Sequence, residues 1–350
     1  MIISYVLRDI YQQMGLNHMA TIKDIAKIVG VSTTTVSRVL NNDPEFTVSA
    51  NTRMHIFQTA EKLAYKKRAP ASVTHRVALL YWLTENEELE DIYYKQIRME
   101  LETKFQDYNI SMRRYDKEEG IGAIDPETDA FLIVGRFEKQ EFEKITSISR
   151  LGVIIDTASN DIFFDSVRPN LSLMIRQMID HFLAQGHRKI GLICGHDYGQ
   201  QKRVETLDIR ENAFREYMEE LGILNEKYIF RSATGSVSGG YQCALNAIEE
   251  SSGDLPTAFC VASDPLAVGT LQAFHEKGIA IPQRVSFFSI DDVIVSKYVS
   301  PPLTTFHIDI PFMCQTALKL LQERLANPNM PQETILLNGT PVYRKSIQNI

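Results

Sequence analysis

The stretch MATIKDIAKIVGVSTTTVSRVLN, residues 19–41, decides how the head of this 350-residue chain folds. Thr21 followed three residues later by Asp24 reads as a capping box that opens a helix. Ile22, Ile25, Ala26 and Val29 then fall on one face at the i, i+3, i+4, i+7 spacing, and Gly30 ends the helix. Ser32 is placed to cap a second helix in which Val36, Val39 and Leu40 turn inward while Thr33, Thr34, Ser37, Arg38 and Asn41 turn outward. After a loop over 42–48, Ser49 starts a third helix whose Ile56, Ala60 and Leu63 complete a three-helix core.

A helix that enters the major groove needs short hydrogen-bonding groups and at least one long donor for a base edge. The second helix has both. Arg38 is placed to bond bidentately to guanine O6 and N7, and Thr33 and Thr34 to reach bases. Thr21, Ser32, Asn41 and Ser49 are better placed for phosphates. Charge points the same way. Residues 19–68 hold eight Lys/Arg against four Asp/Glu, whereas the whole chain has a net charge of −7, so a basic head precedes an acidic body.

A composition of 44% hydrophobic and 23% charged residues is that of an ordinary globular protein, and 350 residues leave room for two or three folding units. Cys194, Cys243, Cys260 and Cys314 stand apart, without the spacing of a zinc site or a disulfide framework, and are expected as reduced, buried thiols. No apolar run reaches the ~18–20 residues of a membrane span, and residues 1–18 lack the pattern of a signal peptide. A cytoplasmic protein without cofactor or metal is expected.

From Arg76 onward apolar runs alternate with amphipathic stretches: 77–83 then 93–108, 130–134 then 138–148, 152–155, then 169–185 and 190–194. The alternation continues through 208–221, 238–250, 258–262, 264–277, 285–290 and 310–325. Repeated strand–helix units mean parallel sheets covered on both faces, and two such sheets fit in the remaining length. Ligands of such sheets bind at the carboxyl ends of strands. There stand Asp156, Asp291 with Asp292, and Ser263 with Asp264; Asp264 is expected to cap the helix it precedes, and Asp292 is a turn residue or a ligand. His187, just after Gly186, reads as structural.

Residues 20–65, from ATIKDIA through VSTTTVSRVLN to Leu63 and Tyr65, resemble the head of the LacI/GalR repressor family. The body resembles that family's core through QGHRKIG (185–191), DIRENAF (208–214), VASDPLAVG (261–269) and PPLTT (301–305). The resemblance implies an N-terminal helix-turn-helix head plus an α/β core of two Rossmann-like subdomains, similar to periplasmic sugar-binding proteins. It implies a homodimer that reads a pseudo-palindromic operator in double-stranded DNA and is relieved by a small sugar effector. By motif position Arg210 matches the arginine that holds effector hydroxyls, Asp156 and Asp291 match two cleft acids, and Ser263 a polar cleft side chain. Each also reads plainly, Arg210 as a surface cation and the acids as turn residues.

The expected domains are a disordered extension or misassigned start (1–18), the head (19–66), a hinge (67–75) and the core (76–350). Within the core, 76–168 with 310–327 forms an N-subdomain and 169–306 with 328–350 a C-subdomain. Two departures from the family pattern stand out. The hinge lacks the Ala-Arg-x-Leu motif whose leucine wedges into the minor groove, so weaker operator bending is expected, and Lys66, Lys67 and Arg68 either bind phosphates or form a solvated linker. Gly235 stands where many sugar-binding relatives have an aromatic platform, leaving Tyr93, Tyr94, Phe163 or Phe164 to replace it.

The stretch DIYYKQIR (91–98) and the longer loop at 42–48 resemble repressors of galactose and β-galactoside operons. A purine or phosphosugar effector is the alternative within the family, and a phosphosugar would need cations such as Arg136 or Lys202 and Arg203. A sugar enzyme fused to a helix-turn-helix is the rival of another class. The chain has neither a G-x-x-x-x-G-K-[ST] loop nor a G-x-S-x-G elbow, which argues against it. No heptad run follows the core, so a dimer without a tetramerisation coiled coil is expected.

Overall fold

The computed structural model describes residues 21–40, 46–63, 65, 75–84, 88–89, 91–108, 110–157, 164–195, 208–251 and 253–350. The chain divides into two units, Met1–Ser72 and Val73–Ile350. The expectations for residues 1–18, Asn41, Lys66–Arg68, the hinge up to 74, Phe163, Lys202 and Arg203 lie outside the described residues.

In the first unit, α1 (Ile22–Val29) opens with the capping box: the Thr21 N–H donates to Asp24 Oδ2 at 2.8 Å, and the Asp24 N–H donates back to Thr21 Oγ1 at 3.4 Å. Gly30 closes it with a left-handed φ of 76°, a conformation glycine adopts without steric cost. Ser32 Oγ accepts the Thr35 N–H at 3.0 Å at the start of α2 (Thr33–Leu40). Ser49 Oγ accepts the Thr52 N–H at 3.1 Å at the start of α3 (Ala50–Lys62). Ile25, Val36, Val39 and Ile56 are fully buried between the three helices. Each such side chain is worth about 1.5–3 kcal/mol relative to exposure, which is how so small a unit holds together.

The second unit contains two six-stranded sheets. The first is built from β1 (His75–Trp82), β2 (Ile110–Asp116), β3 (Ala130–Gly135), β4 (Gly152–Ile155) and β5 (Asp165–Pro169), with α4 (Ile92–Lys104) and α5 (Lys139–Ile148) between them. The second follows: α6 (Leu171–Ala184), β6 (Ile190–Gly195), α7 (Ile209–Glu220), β7 (Ile229–Ser232), α8 (Val237–Glu250), β8 (Ala258–Val261), α9 (Asp264–Glu276), β9 (Ser286–Asp291) and β10 (Thr304–His307). The chain ends with α10 (Ile310–Ala326), β11 (Thr334–Leu337) and β12 (Thr340–Val342).

The strand orders are β2-β1-β3-β4-β5-β11 and β7-β6-β8-β9-β10-β12, and among the described residues only the β10–β12 pair is antiparallel. Central strands such as β3 and β8 are buried along their whole length, as parallel strands covered by helices on both faces must be. Helices α8 and α9 pack at glycines: a Cβ on Gly269 would stand 1.9 Å from the Val237 carbonyl oxygen. The four cysteines are buried free thiols.

Three segments carry the chain between the sheets, after β5, after β10 and between β11 and β12. The last of these corrects the expected boundary at 327/328. Residues 334–337 pair with β5 in the first sheet, and only from Thr340 does the chain join the second. A buried ion pair fixes that return. Arg324 on α10 donates from Nε and Nη2 to the two oxygens of Asp165 at 2.8 and 2.6 Å, and the Glu333 N–H donates to the same carboxylate at 2.8 Å. The expected linker is also one residue shorter, because His75 already pairs with Ile110 as the first residue of β1.

Candidate functional site

On the head, Thr33, Thr34 and Arg38 are exposed along α2 and Ser37 is half-buried. The Arg38 guanidinium lies 5.2 Å from the centre of the Phe46 ring, a cation–π contact that restricts where the arginine points. Phe46 was not singled out from the sequence, where it reads as a loop hydrophobe. The three hydroxyls expected at phosphates, Thr21, Ser32 and Ser49, are exposed and serve as the helix caps described above.

In the second unit the carboxyl ends of β4, β8 and β9 and the starts of α4, α7 and α9 bring together most of the expected cleft residues. Asp156, at the end of β4, accepts a hydrogen bond from the Tyr93 hydroxyl at 2.6 Å and a second from Tyr94. The rings of Tyr93 and Tyr94 meet edge to face at 5.4 Å. Arg210, in the first turn of α7, donates from Nε and Nη2 to Asp208 at 2.8 and 2.6 Å and from Nη1 to the Ala262 carbonyl at 2.8 Å. Asp291, at the end of β9, accepts the Asp264 N–H at 3.1 Å. Ser263 is half-buried at the start of α9, and its side chain makes no capping hydrogen bond.

These groups feel one another across the two sheets. Burial pushes Asp291 well above the usual carboxylate range, with Asp264 and Asp91 adding to the rise and Arg210 opposing it. Burial likewise raises Asp156, against the Tyr93 and Tyr94 hydroxyls, Arg210 and Arg136. For Asp208 burial acts upward too, but Arg210 overrides it and holds the carboxyl at about 2. Among the described residues, Asp156, Asp291 and Asp292 are the only non-glycine positions with left-handed backbone, at φ 73°, 121° and 59°. Short polar side chains tolerate that region best, and strain of this kind gathers at ligand sites.

One of the strand-end aspartates departs from its expected role, and another takes one of its two expected roles. Asp264 does not cap its helix; it is fully buried and accepts from Thr305 Oγ1 at 2.7 Å, from the Val293 N–H at 3.0 Å and from the hydroxyls of Ser289 and Ser296. It ties β9, β10 and the turn after β9 into one piece. Asp292 pairs with Arg344 and, at 3.3 Å, with His307, which makes it a structural turn residue. Phe164 is buried against Phe131 and Phe142 and is no stacking platform. His187 is structural as expected, its Nδ1 2.9 Å from Thr257 Oγ1 and its Nε2 3.1 Å from the Gln348 carbonyl.

Asp91 and Asp208 were missed as cleft residues because each precedes a helix and reads as an ordinary cap, which each also is. Burial pushes Asp91 up to about 6, with Asp156 and Asp264 adding to the rise and the Tyr93 N–H and Arg210 opposing it. A carboxyl whose folded pKa is raised costs stability once pH climbs through that value and costs nothing below the unfolded pKa near 4. Asp91→Asn is therefore expected to stabilise the protein by about 1–3 kcal/mol at pH 7, with the gain vanishing toward pH 4. Urea unfolding at both pH values checks this; an equal gain at both would contradict it.

A helix-turn-helix head followed by two parallel α/β sheets that meet at a polar cleft defines a DNA-binding transcriptional regulator. Residues 21–67 match the family described as bacterial regulatory proteins, lacI family, and residues 179–347 match the periplasmic binding protein-like domain. The chain is 44% identical over 329 residues to the HTH-type transcriptional regulator GanR of Bacillus subtilis (strain 168), covering 94% of this chain and 100% of that one. It is 35% identical over 335 residues to the HTH-type transcriptional regulator LacR of Lactobacillus helveticus, covering 94% and 98%. The chain belongs to the lacI family, and it is a regulator, not an enzyme. Its fold is similar to that of the lac repressor dimer bound to operator and the anti-inducer ONPF, with a TM-score of 0.66, 21% identity and coverage of 95% and 100%. Among the described residues no helix is long and apolar enough to cross a membrane.

Proposed function

We propose that this regulator represses a galactose or β-galactoside utilisation operon and is released by a small sugar bound between its two sheets. The observation that carries the reading is the convergence of Tyr93 and Asp156 from one sheet with Arg210 and Asp291 from the other. Vicinal hydroxyls suit such a set: carboxylates accept from them, and a guanidinium donates through the N–H groups that Asp208 and Ala262 do not use. Ser263 adds a hydroxyl at the same edge. The names of relatives such as LacR support the same sugar class.

In this reading two copies of the head place α2 in successive major grooves of a pseudo-palindrome. Arg38 reads a base edge with Thr33, Thr34 and Ser37 beside it, and Thr21, Ser32, Asn41 and Ser49 hold phosphates. Sugar and operator each favour a different arrangement of the dimer, so each weakens the other by the same factor. Titrating operator binding in the presence of galactose, lactose and unrelated sugars tests the proposal. The expected result is weakened binding with a galactoside only; no response to any sugar overturns it.

Arg38→Lys keeps the charge and loses the planar fork. It is expected to cost about 1–3 kcal/mol of discrimination between the operator and a site altered at one base pair, while binding to random DNA changes little. Competition binding at fixed salt measures both. Equal losses on both DNAs would make Arg38 a phosphate contact.

A further inference from the structure

Among the described residues, three of the helices that begin beside these groups have a first-turn N–H already bonded to a protein carboxyl. Asp91 accepts the Tyr93 N–H at 3.1 Å in the first turn of α4. Asp208 accepts the Arg210 N–H at 2.8 Å in the first turn of α7. Asp291 accepts the Asp264 N–H at 3.1 Å at the start of α9. Helix N-termini are the ordinary backbone sites for phosphate and other anions, and here protein oxygens stand in those places. The side-chain charges follow the same logic. Among the described residues, Arg210 is matched by Asp208, Arg136 acts electrostatically on Asp156 and Asp208, and Asp91 feels Asp156 as Asp291 feels Asp91. A phosphate monoester would bring up to two further negative charges into that field.

We propose that the cleft takes an uncharged polyhydroxylated ligand and rejects its phosphorylated counterpart, with Asp91 setting part of that discrimination. The proposal rests on the effector-site reading above and narrows it. A neutral sugar satisfies the carboxylates with hydroxyl donors and adds no charge. A sugar phosphate of the same shape meets the Asp91 carboxylate and finds these helix N-termini taken, so it is disfavoured by repulsion as well as by missing donors.

The test is calorimetric titration of the full-length protein with matched pairs, galactose and galactose 6-phosphate, then glucose and glucose 6-phosphate. The expected result is binding of a neutral member with at least about a hundredfold preference over its phosphate. Asp91→Asn keeps an oxygen for the Tyr93 N–H and removes the charge, and is expected to lower that preference about tenfold. The preference is the readout because a merely structural defect weakens both ligands alike. Asp91→Ser, which retains a capping oxygen, provides a second variant should the first fold poorly. Phosphates that bind as tightly as their neutral partners overturn the inference while leaving a sugar-responsive regulator intact. An unchanged preference in both variants removes Asp91 from it. Failure of every pair removes the effector-site reading and the inference together.

Discussion

Replacing Asp264 with alanine is expected to lower the unfolding free energy by about 3–5 kcal/mol. Its carboxylate is the common acceptor for Ser289, Ser296, Thr305 and the Val293 N–H, all within the buried end of the second sheet. Removing it leaves four donors without a partner. The hydroxyls can turn toward one another, but the backbone N–H cannot, and each buried donor left alone costs about 1–3 kcal/mol. Loss of the carboxylate's own desolvation offsets part of this. Asp264→Asn is expected to recover about half the loss, because one oxygen remains and serine and threonine hydroxyls can accept from the new amide. Urea unfolding with an unchanged m-value measures both variants. A loss below 1 kcal/mol for the alanine would show that the donors find other acceptors.

Replacing Arg324 with methionine is expected to cost a similar amount, about 3–5 kcal/mol, because Asp165 then stays buried as an unpaired charge. Asp165 and Arg324 are 1% and 5% exposed, so water does not replace the lost partner. Arg324 also donates to the carbonyls of Met330 and Pro331 and thereby shapes the approach to β11. The double replacement Asp165→Leu with Arg324→Met is expected to regain much of the loss, since an apolar pair of similar volume avoids burying charge altogether. Thermal unfolding of Asp165→Leu, Arg324→Met and the double variant gives the cycle. A double variant as weak as Arg324→Met would assign the cost to the carbonyl contacts rather than to the stranded aspartate.

The head was legible almost residue by residue, because caps and helix faces are local properties. Thr21, Gly30, Ser32 and Ser49 stand at the helix ends where short-range rules place them. In the body the uninterrupted apolar strands were legible too, the four-residue β4 and β8 included, but β2, β5, β7 and β10 were not. These are short or carry polar residues, as in ISMRRYD and DSVRP, and their pairing with neighbours supplies what their own composition lacks. The boundary near 327 failed for a related reason: Ser166 meets Thr334 across 168 residues of chain, a distance no local pattern spans. At the cleft, Asp156 and Asp291 were visible as acids at strand ends. Asp91 and Asp208 were hidden behind their capping role, and Asp264 was misread because only the folded structure turns its carboxylate inward.

The interleaved connection has a consequence for how the protein is made. The edge strand of the first sheet is Thr334–Leu337 and that of the second is Thr340–Val342, so each sheet receives its last member from the final seventeen residues of the chain. A ribosome that has translated the first 300 residues has therefore released two unfinished sheets, each with an open side. The two closing strands are separated only by Asn338 and Gly339, so both sheets are completed almost together. Late completion of both halves, rather than early folding of one, is the order this topology favours.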